Sequence, residues 1–217
     1  MFVEPHPQWI TPNPGGAADP LGESVQDPTQ PWLRIFEPAS PCAVIGRGQD
    51  PERELQCAHL RADSVPMYRR ICGGGSVVLA PGMVVVALRL PRGELFPDAW
   101  LNRIGDILAG GLTSGLGLAT QVRGHGDLAV ATSDGGRKIL GASRRLTGTW
   151  CLYLGVVLVA DAVPLMERYL AHPSREPGYR QNRRHGDFCT HLGRWGATVE
   201  QASLHLERAC RAEWSDV

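Results

Sequence analysis

Asp127–Arg145 reads DLAVATSDGGRKILGASRR, and the fold turns on how this stretch is interpreted. Leu128, Val130 and Thr132 alternate with smaller residues, as in a half-buried strand. Asp134-Gly135-Gly136 supplies a tight turn, because Asp-Gly and Gly-Gly tolerate the positive φ of a hairpin loop. Arg137 to Leu146 reads as the returning strand, with Lys138 near its start and Gly141 in its middle. A glycine inside a strand weakens it and marks a place where a ligand or another backbone comes close. A cation and such a glycine on one hairpin arm suit an anionic ligand such as a nucleotide phosphate. A solvated strand lysine and a bulge glycine would account for the same residues, so the hairpin alone decides nothing.

Composition narrows the choice. The chain has 217 residues, enough for one domain with an extension and for a real core. Lys plus Arg and Asp plus Glu are balanced at 22 each, which excludes the basic footprint of a nucleic-acid binder. Lys138 is the only lysine; every other basic residue in that total is arginine. Arginine presents a rigid fork, lysine a compact charge on a flexible stem, so the exception is notable. Six cysteines are widely spaced, without a CxxC pair or zinc spacing. No basic region followed by an apolar one marks a signal peptide, and no apolar run approaches the ~20 residues of a membrane span. The expected compartment is the cytoplasm, with reduced thiols and no membrane or nucleic-acid partner.

Working outward, residues 1–31 are rich in Pro, Gly and polar residues and predict an irregular N-terminal arm, with a short turn near Ala17–Val25. Order is expected over 32–217. Trp32–Phe36 and Cys42–Gly46 read as strands, the second ending in the turn Gly46-Arg47-Gly48. Asp50-Pro51-Glu52 is a helix start, with the helix running to about Arg61. Val65–Arg70, Ser76–Leu79 and Met83–Leu90 are further strands. Helical spacing of Phe96, Trp100, Leu101, Ile104, Ile107 and Leu108 predicts an amphipathic helix from Pro97 to about Leu108, loosened by the glycines at 110, 111, 115 and 117. Gly148–Ala160 is a long apolar strand, and Asp161 can cap a helix with Leu165, Met166, Tyr169 and Leu170 on its inner face. Pro173–His185 reads as a polar, arginine-rich loop. Thr198 with Gln201 forms a capping box for a last helix. The class is α+β, with a mixed, mostly antiparallel sheet flanked by helices.

A second stretch bears on chemistry. Arg69-Arg70-Ile71-Cys72-Gly73-Gly74-Gly75 places three glycines after two arginines. Backbone N–H groups of such a loop can converge on an anion or carbonyl oxygen, and Arg69 or Arg70 adds charge. A tight turn between strands is the competing interpretation.

Together these stretches resemble a known family. Arg69–Gly82, RRICGGGSVVLAPG, resembles the RRxSGGGAVxHDxGN motif of lipoate–protein ligases. Asp127–Ser143 is similar to that family's NDLxxxGRKxxGxA segment, and Cys151–Leu170, CLYLGVVLVADAVPLMERYL, to LHHGTLLxxxDLxxLxxYL. Order and spacing agree from Trp32 to about Leu192. The resemblance implies a biotin/lipoate-ligase catalytic fold, in a short form without the C-terminal accessory domain. It implies activation of lipoate with ATP to lipoyl-AMP, usually with Mg2+, then transfer of the lipoyl group to a lysine of a carrier domain. A separate accessory subunit is a further expected partner. Lys138 takes the place of the family's catalytic lysine and would stabilise charge on the phosphate oxygens. Gly73, Gly74, Gly75 and Ser76 would wrap the acyl arm and phosphate. Arg69 and Arg70 would serve the acyl carbonyl, Asp127 the nucleotide or metal, and Gly141 and Ala142 the adenylate. Strands through Val77 and Val84 would line an acyl tunnel.

The chain also departs from the pattern. Cys72 replaces serine, Leu79-Ala80 replace His-Asp, Gly126 replaces asparagine, and Leu152-Tyr153-Leu154-Gly155 stand where LHHG is expected. Two other functions compete: an octanoyl or lipoyl transferase working through a cysteine thioester, and a non-catalytic degenerate ligase that binds lipoylated protein or nucleotide. The loop Arg175–Arg184 is a candidate dock for an acidic carrier domain.

Overall fold

The computed structural model describes residues 10–13, 19–93, 97–133 and 135–217. The expected helix residue Phe96 and turn residue Asp134, with Ala17 and Ala18 of the expected N-terminal turn, lie outside these. Two sheets form the framework. Strands β1 (Ile10–Pro12), β4 (Met67–Arg69), β3 (Cys42–Ile45) and β5 (Val77–Leu79) make a four-stranded sheet in that order. In it β4 runs parallel to both neighbours, and β5 is antiparallel to β3. The six-stranded sheet follows the order β2 (Leu33–Phe36), β6 (Met83–Pro91), β10 (Trp150–Leu158), β9 (Arg137–Leu146), β8 (Asp127–Val130), β7 (Thr120–Arg123), antiparallel throughout.

The six-stranded sheet is buried on both faces, which is why β6 and β10 read as continuous apolar runs rather than alternating ones. Met83, Val85, Ala87, Leu152, Leu154, Val156 and Leu158 share a core with the four-stranded sheet and helices α2 (Cys57–Ala62) and α4 (Val163–Tyr169). Val84, Val86, Leu88, Cys151, Tyr153 and Val157 face the other way, onto α3 (Pro97–Leu116) and α6 (Val199–Glu213). Val84 therefore belongs to the helix layer; from its strand, only Met83, Val85 and Ala87 face the space between the sheets.

Helix capping follows the sequence. Asp50 accepts from Glu52 N at 3.1 Å at the start of α1 (Pro51–Glu54), and the capping box joins Thr198 and Gln201 at the start of α6. The single helix expected over 51–61 is instead two, because Leu55 adopts extended geometry and bridges Leu170. Helix α3 runs eight residues beyond its expected end. Its glycines tighten a helix–helix contact rather than loosening an end: a Cβ at Gly111 would meet Ala209 Cβ at 2.7 Å, and one at Gly115 would overlap the His205 ring. Part of the expected irregular arm is structured. Ile10–Pro12 pairs with β4, and Leu21, Glu23 and Val25 are buried.

The hairpin is less regular than the sequence suggests. Strand β8 ends at Val130 and β9 begins at Arg137, and between them Gly136 N donates to Thr132 Oγ1. Ala129 pairs with Lys138 but Leu128 pairs with Leu140, so Ile139 is an extra residue, a β-bulge. Ile139 and Leu140 consequently both face the helix-layer core, although they are sequence neighbours.

Candidate functional site

The bulge decides where Lys138 points. In a regular strand, residues three apart lie on opposite faces. With Ile139 absorbed by the bulge, Lys138 shares a face with Gly141, and a Cβ at 141 would lie 2.9 Å from Lys138 Nζ and 3.0 Å from Cε. The lysine tip therefore occupies the space that any other residue at 141 would fill. Its ammonium ion-pairs with Asp127 Oδ1 at 2.8 Å, and Tyr179 OH donates to Asp127 Oδ2 at 2.9 Å. Burial, then the Asp127 charge, pushes the Tyr179 hydroxyl well above its usual range, so it remains a donor. Beneath the lysine, Thr190 N donates to the Lys138 carbonyl at 2.9 Å.

Further along the same face of β9 come Ser143 and Arg145, opposite the inter-sheet residues Leu154 and Leu152 of β10. The triglycine loop lies over Ser143: Gly74 has φ +91°, and a Cβ there would sit 3.6 Å from Ser143 Cβ and 3.1 Å from Arg70 Nη2. Positive φ and a close neighbour together explain the glycine. Arg70 is buried and donates to the Gly73 carbonyl at 2.8 Å and the Gly75 carbonyl at 2.5 Å. Burial lowers its pKa to about 10, opposed by Cys72 and Glu23. Arg69 donates through one nitrogen to the carbonyls of Gly46, Arg47 and Gln49. Both arginines thus brace the loops, and Ser76 Oγ adds a 3.2 Å bond to Gln49 Oε1. Gly46 is a further contact point, since a Cβ there would run into the Gly74 carbonyl.

The structure brings Lys138, Asp127 and Gly141 together and places Gly74 against Ser143 on the same strand face, with Gly73, Gly75 and Ser76 beside it in the loop. Ala142 is the exception: its side chain packs against the helix-layer core, leaving only its backbone near the site. Sequence reasoning missed Tyr179, Ser143, Arg145 and Gly46; for the last, the Gly-Arg-Gly turn was the available signal. In the arginine-rich loop Arg175 and Arg184 are exposed, whereas Arg180 and Arg183 are committed to the protein. Arg180 is buried with its guanidinium over the Phe188 ring at 4.9 Å, and Arg183 donates to the carbonyls of Tyr179 at 2.8 Å and Gly136 at 3.2 Å. These charges fasten the segment to the hairpin and so hold Tyr179 on Asp127.

The departures lie in the core. Cys72, Leu79, Ala80, Leu152, Tyr153 and Leu154 are all buried. Burial pushes the Cys72 thiol up to about 12, and it also raises Cys189, which underlies Lys138. Neither is a ready thiolate. Among the described residues there is no cluster of three metal-ligating side chains; Asp127, the carboxylate at the lysine, is the residue that could contribute to a magnesium ion held mainly by phosphate oxygens and water, and its two oxygens are engaged by Lys138 and Tyr179.

A cleft of about 380 Å³ opens beside the loop, lined by Ile10, Arg47, Arg69, Arg70, Ile71 and Arg145. No helix among the described residues is long and apolar enough to cross a membrane.

Solved structures share this architecture. The chain is similar to a bi-partite lipoate protein ligase from Thermoplasma acidophilum, studied with its E2 lipoyl domain, at 17% identity, with a TM-score of 0.72 over 83% of this chain and 69% of the other. It is similar to a lipoate-protein ligase A bound with ATP at 16% identity, TM-score 0.69, over 83% and 71%. It is likewise similar to LipL1 of P. falciparum in complex with lipoate at 18% identity, TM-score 0.67, over 84% of this chain and 49% of that one. The family model of the lipoyl protein ligase A/B catalytic domain matches residues 19–199. With the bulged lysine strand, the triglycine loop and every strand of both sheets except β1 inside that match, the chain belongs to the lipoyl protein ligase A/B catalytic domain family.

Proposed function

We propose that this protein is an ATP-dependent lipoate–protein ligase, with residues 32–217 as its catalytic domain and residues 19–31 packed onto that core. The observation that carries the reading is the Lys138 ammonium, held over Gly141 by Asp127 and Tyr179, on the strand face that the triglycine loop covers. A preorganised cation at that point suits negative charge that develops on a phosphate. In the first step the lipoate carboxylate forms a bond to the α-phosphorus of ATP. The bond from that phosphorus to the bridging oxygen breaks, and diphosphate leaves with the electron pair. In the second step the neutral amine of a carrier-domain lysine forms a bond to the acyl carbon and gives up a proton to solvent, while the bond from that carbon to the phosphate oxygen breaks and AMP leaves with the electron pair. Lys138 stabilises the phosphate oxygens in both. Gly141 leaves room for the ammonium, and the 73–76 loop offers backbone N–H groups without side chains in the way. The proposed partner is a lipoyl carrier domain, by likeness to the T. acidophilum ligase and its E2 lipoyl domain.

Intact-mass analysis of a lipoyl carrier domain incubated with the protein, lipoate, ATP and magnesium tests this. A lipoyl mass gain that requires ATP is expected, and Lys138→Ala should reduce it by about 10²–10³-fold while the protein stays folded. Transfer from lipoyl-AMP but not from ATP would assign adenylation to a second polypeptide. No transfer from either would overturn the reading and favour a non-catalytic binder.

A further inference from the structure

The triglycine loop is gripped by a residue from outside its own strands. At the end of β4, Arg70 N donates to the Ile45 carbonyl at 3.0 Å. The chain then leaves the sheet, and the next amide, Ile71 N, needs another acceptor. It donates at 2.8 Å to Glu23 Oε1, a side chain 48 residues earlier. Glu23 opens a 3₁₀ turn (Glu23–Gln26) seated on β6: a Cβ at Gly22 would meet Ala87 Cβ at 2.7 Å, and Leu21 and Val25 join Ala87 in the inter-sheet core. The Glu23 carboxylate is buried, and its Oε2 accepts from Asn13 Nδ2 at 2.8 Å. The same amide donates to Asp19 Oδ1 at 2.6 Å. Asp19 also accepts from Leu21 N at 3.2 Å and Ser24 N at 2.7 Å, with Arg34 at 3.5 Å. Two buried acids therefore share one amide, and Glu23 is the one that reaches the loop. Burial raises the Glu23 pKa, opposed by Asn13 and Ile71 N, and its charge helps oppose the effect of burial on Arg70.

We propose that Glu23 is a positioning residue for the transfer reaction: it pins the start of the triglycine loop and makes the N-terminal arm a working part of the site. The inference rests on the ligase reading and extends it to a segment that reads as irregular in the sequence. Gly73, Gly74 and Gly75 have no side chains to fix their place, so the course of the loop depends on what grips its backbone. The Cys72 carbonyl accepts from Arg47 N at 2.9 Å, and Arg70 holds the carbonyls of Gly73 and Gly75. Those bonds fix carbonyl groups; Glu23 fixes the first N–H, where the loop departs from the sheet. Without that acceptor the backbone must turn towards another or leave a donor unpaired. Either change displaces the loop N–H groups from the Lys138 face, and a shift near 1 Å at a reacting centre costs up to about 10²-fold in rate. Asp19 provides the contrast. It belongs to the same arm and shares Asn13, but its remaining partners are Leu21, Ser24 and Arg34, none of them in the loop.

The test pairs single-turnover transfer from lipoyl-AMP with hydrogen–deuterium exchange of the 71–76 backbone, both on the full chain, with the melting temperature of each variant. Glu23→Ala frees Ile71 N and should slow transfer by about tenfold or more. Glu23→Gln keeps an acceptor for Ile71 N and gives up the Asn13 bond, and Asp19→Asn loosens the arm away from the loop. Both should melt lower yet transfer within about threefold of wild type. Exchange over 71–76 should quicken in Glu23→Ala and not in Asp19→Asn. Should the alanine variant not fold, Glu23→Asp replaces it: the charge stays, one methylene short of Ile71 N, and the same loss is expected. Three results would each overturn the proposal: a folded Glu23→Ala or Glu23→Asp with wild-type transfer, an Asp19→Asn variant slowed as much as either, or loop exchange unaltered when Glu23 is replaced. Exchange needs no ligand, so the two readings fail separately. A wild-type chain that does not transfer sinks the ligase reading, whereas unaltered loop exchange sinks the role of Glu23 and spares the ligase.

Discussion

Replacing Gly141 with alanine should slow catalysis without loosening the fold. Gly141 is not among the positive-φ glycines, so alanine meets no backbone strain there. The only close neighbours of the new Cβ are Lys138 Nζ at 2.9 Å and Cε at 3.0 Å, and ordinary contacts begin near 3.4 Å. The lysine tip must retreat by about 0.5 to 1 Å, away from its position on Asp127. The ion pair it strains is partly exposed, with 25% of the lysine and 11% of the aspartate side chain accessible. Its loss costs under about 1 kcal/mol, and the reduced chain entropy on replacing glycine offsets a similar amount. Stability should change by less than about 1 kcal/mol. A misplacement of 1 Å at a reacting centre costs up to about 10²-fold in rate, so transfer should fall by about 10- to 100-fold. The assay is single-turnover transfer from lipoyl-AMP to a carrier domain, followed by mass, with urea melts in parallel. Because the effect acts through the lysine, adding Gly141→Ala to Lys138→Ala should cost nothing further. Wild-type rates with an intact fold would refute the close-approach argument, and additive losses would refute its route through Lys138.

Three other predictions test neighbouring parts of the site. Gly46→Ala forces a Cβ into the Gly74 carbonyl, backbone against side chain, and should cost about 1–3 kcal/mol in urea denaturation while abolishing transfer; a normal melt would show that the two loops yield freely. Tyr179→Phe removes the donor to Asp127 and should cost about 1–2 kcal/mol and slow transfer severalfold; unchanged transfer kinetics would remove the 176–190 segment from the mechanism. His185 is buried and held neutral, its pKa lowered to about 4 chiefly by burial and then by Arg180, with Glu167 opposing. The unfolded chain takes up that proton below about pH 6.5 and the folded chain does not, so stability present above that pH is lost as pH falls towards 4, by up to about 3 kcal/mol. Urea melts at stepped pH should show that slope, and His185→Gln should flatten it; an unaltered slope in the variant would assign the loss to other groups.

What could be read in the chain follows from how local each feature is. The two helix caps and the pairing of strands β8 and β9 are written in neighbouring residues, and they appear where local chemistry places them. The contact between Lys138 and Gly141 is not local in that sense. Strict alternation puts them on opposite faces, and nothing in RKILG announces that Ile139 will be bulged out of register. The α3 glycines were misread for a similar reason: their partner, His205 of α6, lies about ninety residues away in the chain. Leu55 breaks a helix because it pairs with Leu170, a tertiary choice that overrides a good N-cap. The arginines of 180–184 look solvated from composition, yet the structure spends two of them on ring faces and carbonyls to seat Tyr179.

The bulge at Ile139 has a consequence for any change in chain length here. Strand β9 carries two phases of side-chain alternation, one before residue 139 and one after it. Deleting a single residue at this point would merge them, turning either the lysine or the whole run from Gly141 to Arg145 onto the helix-layer side. A one-residue gap placed elsewhere in the strand would do the same to whichever half it touches. The face shared by Lys138 and Gly141 therefore depends on residue count between Ala129 and Gly141 as much as on residue identity, and tolerance to insertion should be lowest where the sequence looks most like an ordinary strand.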